Sequence, residues 1–164
     1  MQLEYQVSDG VCLLRLNAPP LNTLTLPLLD QLRAAVRQAN EDPAVQAIVI
    51  AGSGEHFSAG ADVHLFQHLE SPESAIQLSR IFQAAFHEVE DSSKPVAAAL
   101  TGNVVGGALE LAVACHYRCA AASSICSAAS GPTNRGKRWV PPAAGLMPSL
   151  TSAMLNPLLA AAQR

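Results

Sequence analysis

Two short apolar runs, residues 45–51 and 95–100, restrict the fold of this chain more than any other feature. Both are uncharged and rich in Val, Ile and Ala, a length and composition typical of buried parallel strands. Each run leads into a glycine-containing loop, residues 52–62 and 101–107. Open α/β sheets bind ligands in the loops that follow the carboxyl ends of their strands. These two loops are therefore the first candidates for a functional site.

A hairpin and an amphipathic helix are predicted ahead of the first run. Residues 3–16 contain two strand-like halves separated by Asp9-Gly10, a pair that readily adopts the positive φ angles of a tight turn. Residues 25–40 carry apolar side chains at helical spacing, and Thr25 is placed to cap the first turn.

Two further helical segments complete the pattern. Residues 71–91 have an apolar stripe that includes Ile76, and residues 108–122 are apolar nearly all round, which predicts a buried helix. Strands alternating with helices predict an α/β domain with buried, mainly parallel strands. From residue 123 the chain is rich in Ser, Ala, Pro and Gly and loses its period. We therefore expect a domain at residues 1–122 and an atypical tail, disordered or frameshifted, at residues 123–164.

The composition is that of a folded protein. Hydrophobic residues make up 49% of the chain and charged residues only 14%, which excludes wholesale disorder. No apolar run is long enough to span a membrane. The first residues lack the basic and apolar regions of a secretory leader, so we expect a cytoplasmic protein.

The charged residues and cysteines exclude two other classes of site. All 13 acidic residues lie at or before Glu110, and the residues that follow carry a few scattered basic side chains and no acidic one. Such a thin basic distribution argues against a nucleic-acid partner. Cys115 and Cys119 would share one face of the predicted last helix, but the chain has no CxxC pair. They are interpreted as buried thiols, and no metal site is expected.

Three segments, taken in order, resemble the motifs of one enzyme family. Asn17-Ala-Pro-Pro-Leu-Asn22 resembles the early loop of the crotonase superfamily. The first oxyanion-loop motif of that superfamily is similar to His56-Phe-Ser-Ala-Gly-Ala-Asp62, and the second is similar to Gly102-Asn-Val-Val-Gly-Gly-Ala-Leu-Glu-Leu-Ala112. Cys115-His-Tyr-Arg118 is similar to a segment in the hydratase part of bifunctional hydratase–dehydrogenases. Each motif alone is weak, but three in order, in matching strand–loop–helix contexts, are specific. Over residues 1–122 the resemblance implies an α/β fold of the crotonase-like β/α spiral type, truncated.

The resemblance also implies a chemistry. Crotonases act on acyl-CoA thioesters through an enolate, and two backbone amides hold the thioester oxygen as it becomes negative. By motif position these are the amides of Ala61 and Gly107, and Gly107 stands where a helix N-terminus favours negative charge. No cofactor is expected, because coenzyme A is part of the substrate, and a homo-oligomer is implied only for the full-length family. The implied acyl-CoA-binding residues are Ala59, Ala61, Asp62, Val63, His64 and Gly107.

Glu110 is the acid/base residue that the resemblance implies. It maps onto the first of two catalytic glutamates of hydratases, which orient and deprotonate the water that adds to the β-carbon. An ordinary helix-surface glutamate is the alternative interpretation. The second glutamate has no counterpart, since Gly131-Pro-Thr-Asn134 stands near its expected place without a carboxylate. The family's CoA-contacting cation near the early loop is also missing. His56 and His64 are interpreted as polar loop residues, and Ser58 as a structural residue.

Several classes of function stay open at this point. The first is an enoyl-CoA hydratase of fatty-acid β-oxidation-type metabolism, or an isomerase or hydrolase with the same oxyanion hole, impaired by truncation. The second is a non-catalytic acyl-CoA-binding or subunit-interaction protein derived from a crotonase. The third is a truncated or frameshifted product, which the nucleotide sequence would test directly.

Overall fold

The computed structural model describes residues 2–67 and 69–127. Strands and helices are interspersed along this part of the chain, and two strands come first. The elements are β1 Leu3–Ser8, β2 Val11–Leu16, α1 Leu26–Glu41, β3 Ala47–Gly52, α2 His64–Gln67, α3 Pro72–Glu90, β4 Val96–Leu100, β5 Asn103–Val105, α4 Gly107–Ala114, β6 Tyr117–Ala120 and β7 Ile125–Ser127.

A five-stranded mixed sheet with the order β1-β2-β3-β4-β6 forms the centre of the fold. The β1–β2 hairpin is antiparallel, and the three other neighbouring pairs are parallel. Ile48 and Ile50 of β3 are fully buried, as expected for a strand of a parallel sheet with covered faces. The predicted hairpin, the two buried strands and the mainly parallel sheet are confirmed, with strand bounds shifted by at most two residues.

The helices α1 and α3 pack against each other. Thr25 caps α1 as predicted, because its hydroxyl oxygen accepts a hydrogen bond from the Leu28 amide at 3.3 Å. The Arg37 guanidinium of α1 donates to Glu88 Oε2 of α3 at 2.6 and 2.9 Å, which joins the two helices. The apolar stripe predicted for α3 is confirmed except at Ile76, which is 53% exposed. The buried residues of α3 are Leu78, Phe82, Ala85, Phe86 and Val89.

The predicted helix over residues 108–122 is wrong in its second half. α4 ends at Ala114, Cys115 takes an extended conformation, and the chain then forms β6 in parallel register with β4. An apolar run of this length does not by itself distinguish a buried strand from a buried helix, and the free edge of β4 decides between them. Arg118 stabilises the helix end by donating from Nη1 to the carbonyl oxygens of Ala112, Val113 and Cys115 at 3.3, 3.2 and 2.6 Å.

A second, two-stranded sheet lies beyond the first one. β5 pairs with β7 in parallel register, and Val104 of β5 is fully buried. The sequence pattern indicated no element after residue 122, so β7 is a finding of the structure alone. Among the helices of the described residues, none is both long and apolar enough to cross a membrane.

Candidate functional site

Three loops meet at the carboxyl ends of the central strands. The early loop, residues 17–25, lies beside the first glycine loop, residues 52–62. Backbone hydrogen bonds join them: the Leu24 amide donates to the Gly60 carbonyl oxygen at 2.8 Å, and the Asp62 amide donates to Leu24 at 3.1 Å. A further bond runs from the Ala59 amide to the Leu21 carbonyl oxygen at 2.9 Å. The first glycine loop is thus held on one side like a short strand.

The second glycine loop, residues 101–107, holds the other side of the first. The Ser58 amide donates to the Asn103 carbonyl oxygen at 3.1 Å, and the Val105 amide donates back to Ser58 at 3.3 Å. The Ser58 side chain is fully buried, and its hydroxyl oxygen accepts the Gly60 amide at 3.1 Å. Ser58 therefore braces the loop, which agrees with its interpretation as a structural residue.

Glycine at position 60 is required by this close packing. Its φ angle is +92°, and a Cβ atom placed there would lie 2.4 Å from the Val105 carbonyl oxygen and 3.3 Å from the Gly107 nitrogen. No real Cβ tolerates the first of these distances, so only glycine brings the two loops together. Because Gly60 has no side chain, the amide of Ala61 can approach the start of α4.

The amides of Ala61 and Gly107 lie side by side as a result. A Cβ atom placed on Gly107 would lie 3.6 Å from the Ala61 nitrogen, which is ordinary van der Waals distance. Neither amide donates a hydrogen bond to any residue within 2–67 or 69–127. Gly107 is the first residue of α4, where backbone amides have no partner inside the helix. The arrangement offers two adjacent N–H donors that can bind one negatively polarised oxygen.

The other predicted binding residues lie around this pair without joining it. Ala59 is half-buried, and the Asp62 carboxylate accepts the His64 amide at 3.0 Å, which makes Asp62 a loop brace. The His64 ring lies 3.2 Å from the side-chain oxygen of Gln67, and Val63 is 66% exposed. Val63 and His64 therefore stand on the open surface next to the amide pair.

Glu110 lies in the first turn of α4, one turn after Gly107, and its side chain is exposed. Its own amide donates to the Gly106 carbonyl oxygen at 3.2 Å, as part of the helix. The carboxylate makes no hydrogen bond or ion pair with another described residue. Glu110 follows Gly107 by three positions, a spacing that places two residues on the same face of a helix.

None of the four cysteines belongs to the three loops that form this site. Burial raises the pKa of the Cys115 thiol to about 12, and the thiols of Cys12 and Cys126 also have pKa values raised by burial. Such thiols stay protonated and are poor nucleophiles and metal ligands. Cys115 ends α4 and Cys119 lies on β6, so they do not share a helix as predicted. In the part of the chain that the structure describes, no group of three or more His, Cys, Asp and Glu side chains could hold a metal ion.

Sequence reasoning missed Asn22. This residue is fully buried with a φ angle of +50°, and its side chain forms hydrogen bonds within the early loop and to the first glycine loop. Nδ2 donates to the carbonyl oxygens of Ser53 and His56 at 2.8 and 2.9 Å, and Oδ1 accepts the Ala18 amide at 3.1 Å. After glycine, Asn is one of the residues that most readily adopt a positive φ angle. The signal available in the sequence was therefore an Asn ahead of a glycine-rich motif.

The family model of enoyl-CoA hydratase/isomerase matches residues 6–136. The chain belongs to this enoyl-CoA hydratase/isomerase family. The crotonase resemblance is thereby confirmed, although the match runs past the boundary at residue 122, which stays a prediction.

Relatives and solved structures agree with this assignment. A crotonyl-CoA hydratase of Syntrophomonas wolfei is 38% identical over 71% of this chain and 45% of its own length. A peroxisomal fatty acid beta-oxidation multifunctional protein of Arabidopsis thaliana is 39% identical over 70% of this chain and 16% of its own. The crystal structure of an enoyl-CoA hydratase/isomerase from Xanthobacter autotrophicus matches with a TM-score of 0.75 and 27% identity, over 78% of this chain and 49% of that one. The crotonase-type α/β fold is confirmed, and the chain spans less than half of the length of these relatives.

Proposed function

We propose that this enoyl-CoA hydratase/isomerase family member binds an acyl-CoA thioester, with the thioester oxygen between the amides of Ala61 and Gly107. The observation that carries the proposal is the pair of amides that Gly60 brings side by side at the N-terminus of α4, neither of which has a hydrogen-bond acceptor among the described residues. A thioester carbonyl suits such a pair, because negative charge develops on its oxygen when an enolate forms.

The electrostatics of the pair suit an enolate better than a resting carbonyl. The dipole of α4 places partial positive charge at Gly107, and two fixed amides need no reorganisation when charge develops. Removal of one such donor in an acyl-transfer enzyme typically costs about 3–4 kcal/mol of barrier. The Ala61–Gly107 pair therefore supports enolate chemistry as well as binding.

Glu110 is the proposed acid/base residue. A carboxylate there would orient a water toward the β-carbon of a bound enoyl-CoA and take its proton. Residues 111–164 contain no acidic side chain, so a second carboxylate for the α-carbon proton is missing from these residues. General acid–base help contributes typically ~10²–10⁴-fold to a rate. We therefore expect these 164 residues to bind acyl-CoA but to hydrate an enoyl-CoA weakly.

The test combines a binding and a turnover measurement on the same chain. Binding of butyryl-CoA is measured by calorimetry, and hydration of crotonyl-CoA by the loss of enoyl absorbance, with Glu110→Gln as the variant. We expect unchanged butyryl-CoA affinity in Glu110→Gln and a loss of the residual hydration. Equal hydration by the variant removes Glu110 from the mechanism, and absence of butyryl-CoA binding by the unmodified chain contradicts the proposed function.

A non-catalytic acyl-CoA-binding protein is the second candidate. Two observations favour it: Glu110 is exposed and has no ion-pair partner among the described residues, and residues 111–164 carry no side-chain carboxylate. Butyryl-CoA binding without any crotonyl-CoA hydration would support this candidate, whereas isomerisation of a 3-enoyl-CoA would favour an isomerase. The cytoplasmic location and the homo-oligomer stay predictions, and three relatives are named as peroxisomal.

A further inference from the structure

A line of side-chain hydrogen bonds crosses the three loops that build the amide pair. Asn22 Nδ2 of the early loop donates to the His56 carbonyl oxygen at 2.9 Å, and His56 Nδ1 accepts the Asn103 amide at 3.3 Å. We propose that His56 is a positioning residue, whose neutral imidazole sets the geometry between the amides of Ala61 and Gly107. This inference rests on the proposed function for its effect on ligand binding, although not for its structural basis.

The protonation state of His56 follows from its partner. The Asn103 amide can only donate, so Nδ1 must accept and the ring proton must be on Nε2. A protonated imidazole has two donors and no acceptor, and would leave the Asn103 amide without this bond. The interaction therefore specifies both a neutral ring and one tautomer.

The ring of His56 is also fixed by close packing. A Cβ atom on Gly102 would lie 2.4 Å from His56 Nδ1 and 2.2 Å from the Glu55 carbonyl oxygen. The imidazole thus rests directly on the backbone at the start of the second glycine loop. Its position is transmitted to that loop by contact as well as by the hydrogen bond.

Asn22 fixes the backbone carbonyl of His56. The Asn22 side chain is fully buried, and a buried amide without hydrogen bonds is strongly destabilising. Its bonds to the carbonyl oxygens of Ser53 and His56 therefore hold the early loop and the first glycine loop together. His56 is thereby anchored on the early-loop side through its carbonyl and on the second-loop side through its ring.

This double anchoring lies close to both amides along the chain. Ala61 follows His56 within the same loop, and Gly107 follows Asn103 through β5 and Gly106. One oxygen can accept from two amides only when both nitrogens are within about 2.7–3.1 Å of it, so a small displacement between the loops breaks one bond. Loss of the His56 ring should therefore weaken binding of a thioester oxygen more than it weakens the fold.

The test uses two variants at His56 and one elsewhere. His56→Ala removes the acceptor, whereas His56→Asn restores an oxygen near the former place of Nδ1, and His87→Gln changes an exposed histidine of α3. We expect butyryl-CoA affinity to be roughly threefold to tenfold weaker in His56→Ala, the range for one lost hydrogen bond, and mostly restored in His56→Asn. Equal affinities of His56→Ala and His87→Gln would overturn the proposal.

Two spectroscopic readouts are independent of ligand. Nitrogen-15 spectra of the unmodified chain should show His56 neutral, with an unprotonated, hydrogen-bonded Nδ1. The Asn103 amide should exchange with solvent roughly threefold to tenfold faster in His56→Ala than in His56→Asn. A proton on Nδ1, or equal Asn103 exchange in the two variants, overturns the role of His56. If the unmodified chain binds no butyryl-CoA while these spectra agree with expectation, the proposed function fails and the structural role of His56 stands.

Discussion

The segments before and after Ala61–Asp62 differ in how they are held. Residues 56–60 are tied to the early loop and to β5 by backbone hydrogen bonds, and Phe57, Ser58 and Gly60 are buried. Residues 63–67, which include the short α2, have no fully buried side chain, and Val63 and Phe66 are 66% and 52% exposed. The difference separates two tasks: the first segment fixes backbone geometry, and the second presents side chains that can change without loss of the fold.

Substitution of Gly60 should break the fixed segment and have the largest effect. In Gly60→Ala the new methyl would lie 2.4 Å from the Val105 carbonyl oxygen at φ +92°, so we expect a loss of about 3–5 kcal/mol in the free energy of unfolding. Urea denaturation measures it. Gly54→Ala is the control, because φ is +70° but no atom lies within 4 Å, and about 1–2 kcal/mol is expected. Equal losses would show that the loop contact is unimportant.

Gly107→Ala should separate binding from stability. The added methyl meets only ordinary contacts, 3.6 Å from the Ala61 nitrogen, and alanine favours a helix more than glycine, so stability should be unchanged or rise by up to about 1 kcal/mol. The same methyl occupies space beside the amide pair, so butyryl-CoA affinity should fall by about tenfold or more. Val113→Ala, an exposed position of α4, is the control. Undiminished affinity in Gly107→Ala would place the thioester elsewhere.

Val63→Ser should affect only the open segment. Because Val63 is 66% exposed, the free energy of unfolding should change by no more than about 0.5 kcal/mol. Val63 is expected to contact the acyl chain, so butyryl-CoA affinity should fall by about fourfold for each methylene group that loses this contact. The comparison variant is Val7→Ser on β1, far along the chain from the loops, and an equal effect on affinity there would exclude a specific role for Val63.

The smallest effect is expected far from both segments, at the α1–α3 ion pair. The hydrogen bond from Arg37 lowers the pKa of the Glu88 carboxyl below its ordinary value. Its stabilising contribution is therefore present above the pKa of the unfolded carboxyl and is lost as the pH falls through the folded one. The gap in melting temperature between the unmodified chain and Glu88→Gln should narrow from neutral to acidic pH, with no change in butyryl-CoA affinity. Glu90→Gln, an exposed neighbour on α3, should show no such gap.

Local pattern was sufficient wherever neighbours in sequence are neighbours in space. The hairpin turn at Asp9-Gly10, the cap at Thr25 and the buried stripe of α1 depend on residues a few positions apart, and all three are confirmed. The same reasoning failed at residues 108–122, where helix and buried strand have similar composition. It also predicted that Ile76 belongs to the buried stripe of α3, but this residue is exposed. Periodicity gives the spacing of an apolar stripe and does not show where the packing against it ends.

The sequence by itself determined the strand–loop–helix order, the two glycine loops and the family motifs, because these are encoded in short contiguous segments. Only the tertiary structure decided that residues 117–120 form a strand, since the edge of β4 supplies the hydrogen bonds. It also decided which polar side chains matter. Asn22 reaches His56 across 34 positions, and His56 reaches Asn103 across 47. No local pattern specifies such contacts, because they exist only once the folded sheet brings the ends of its strands together.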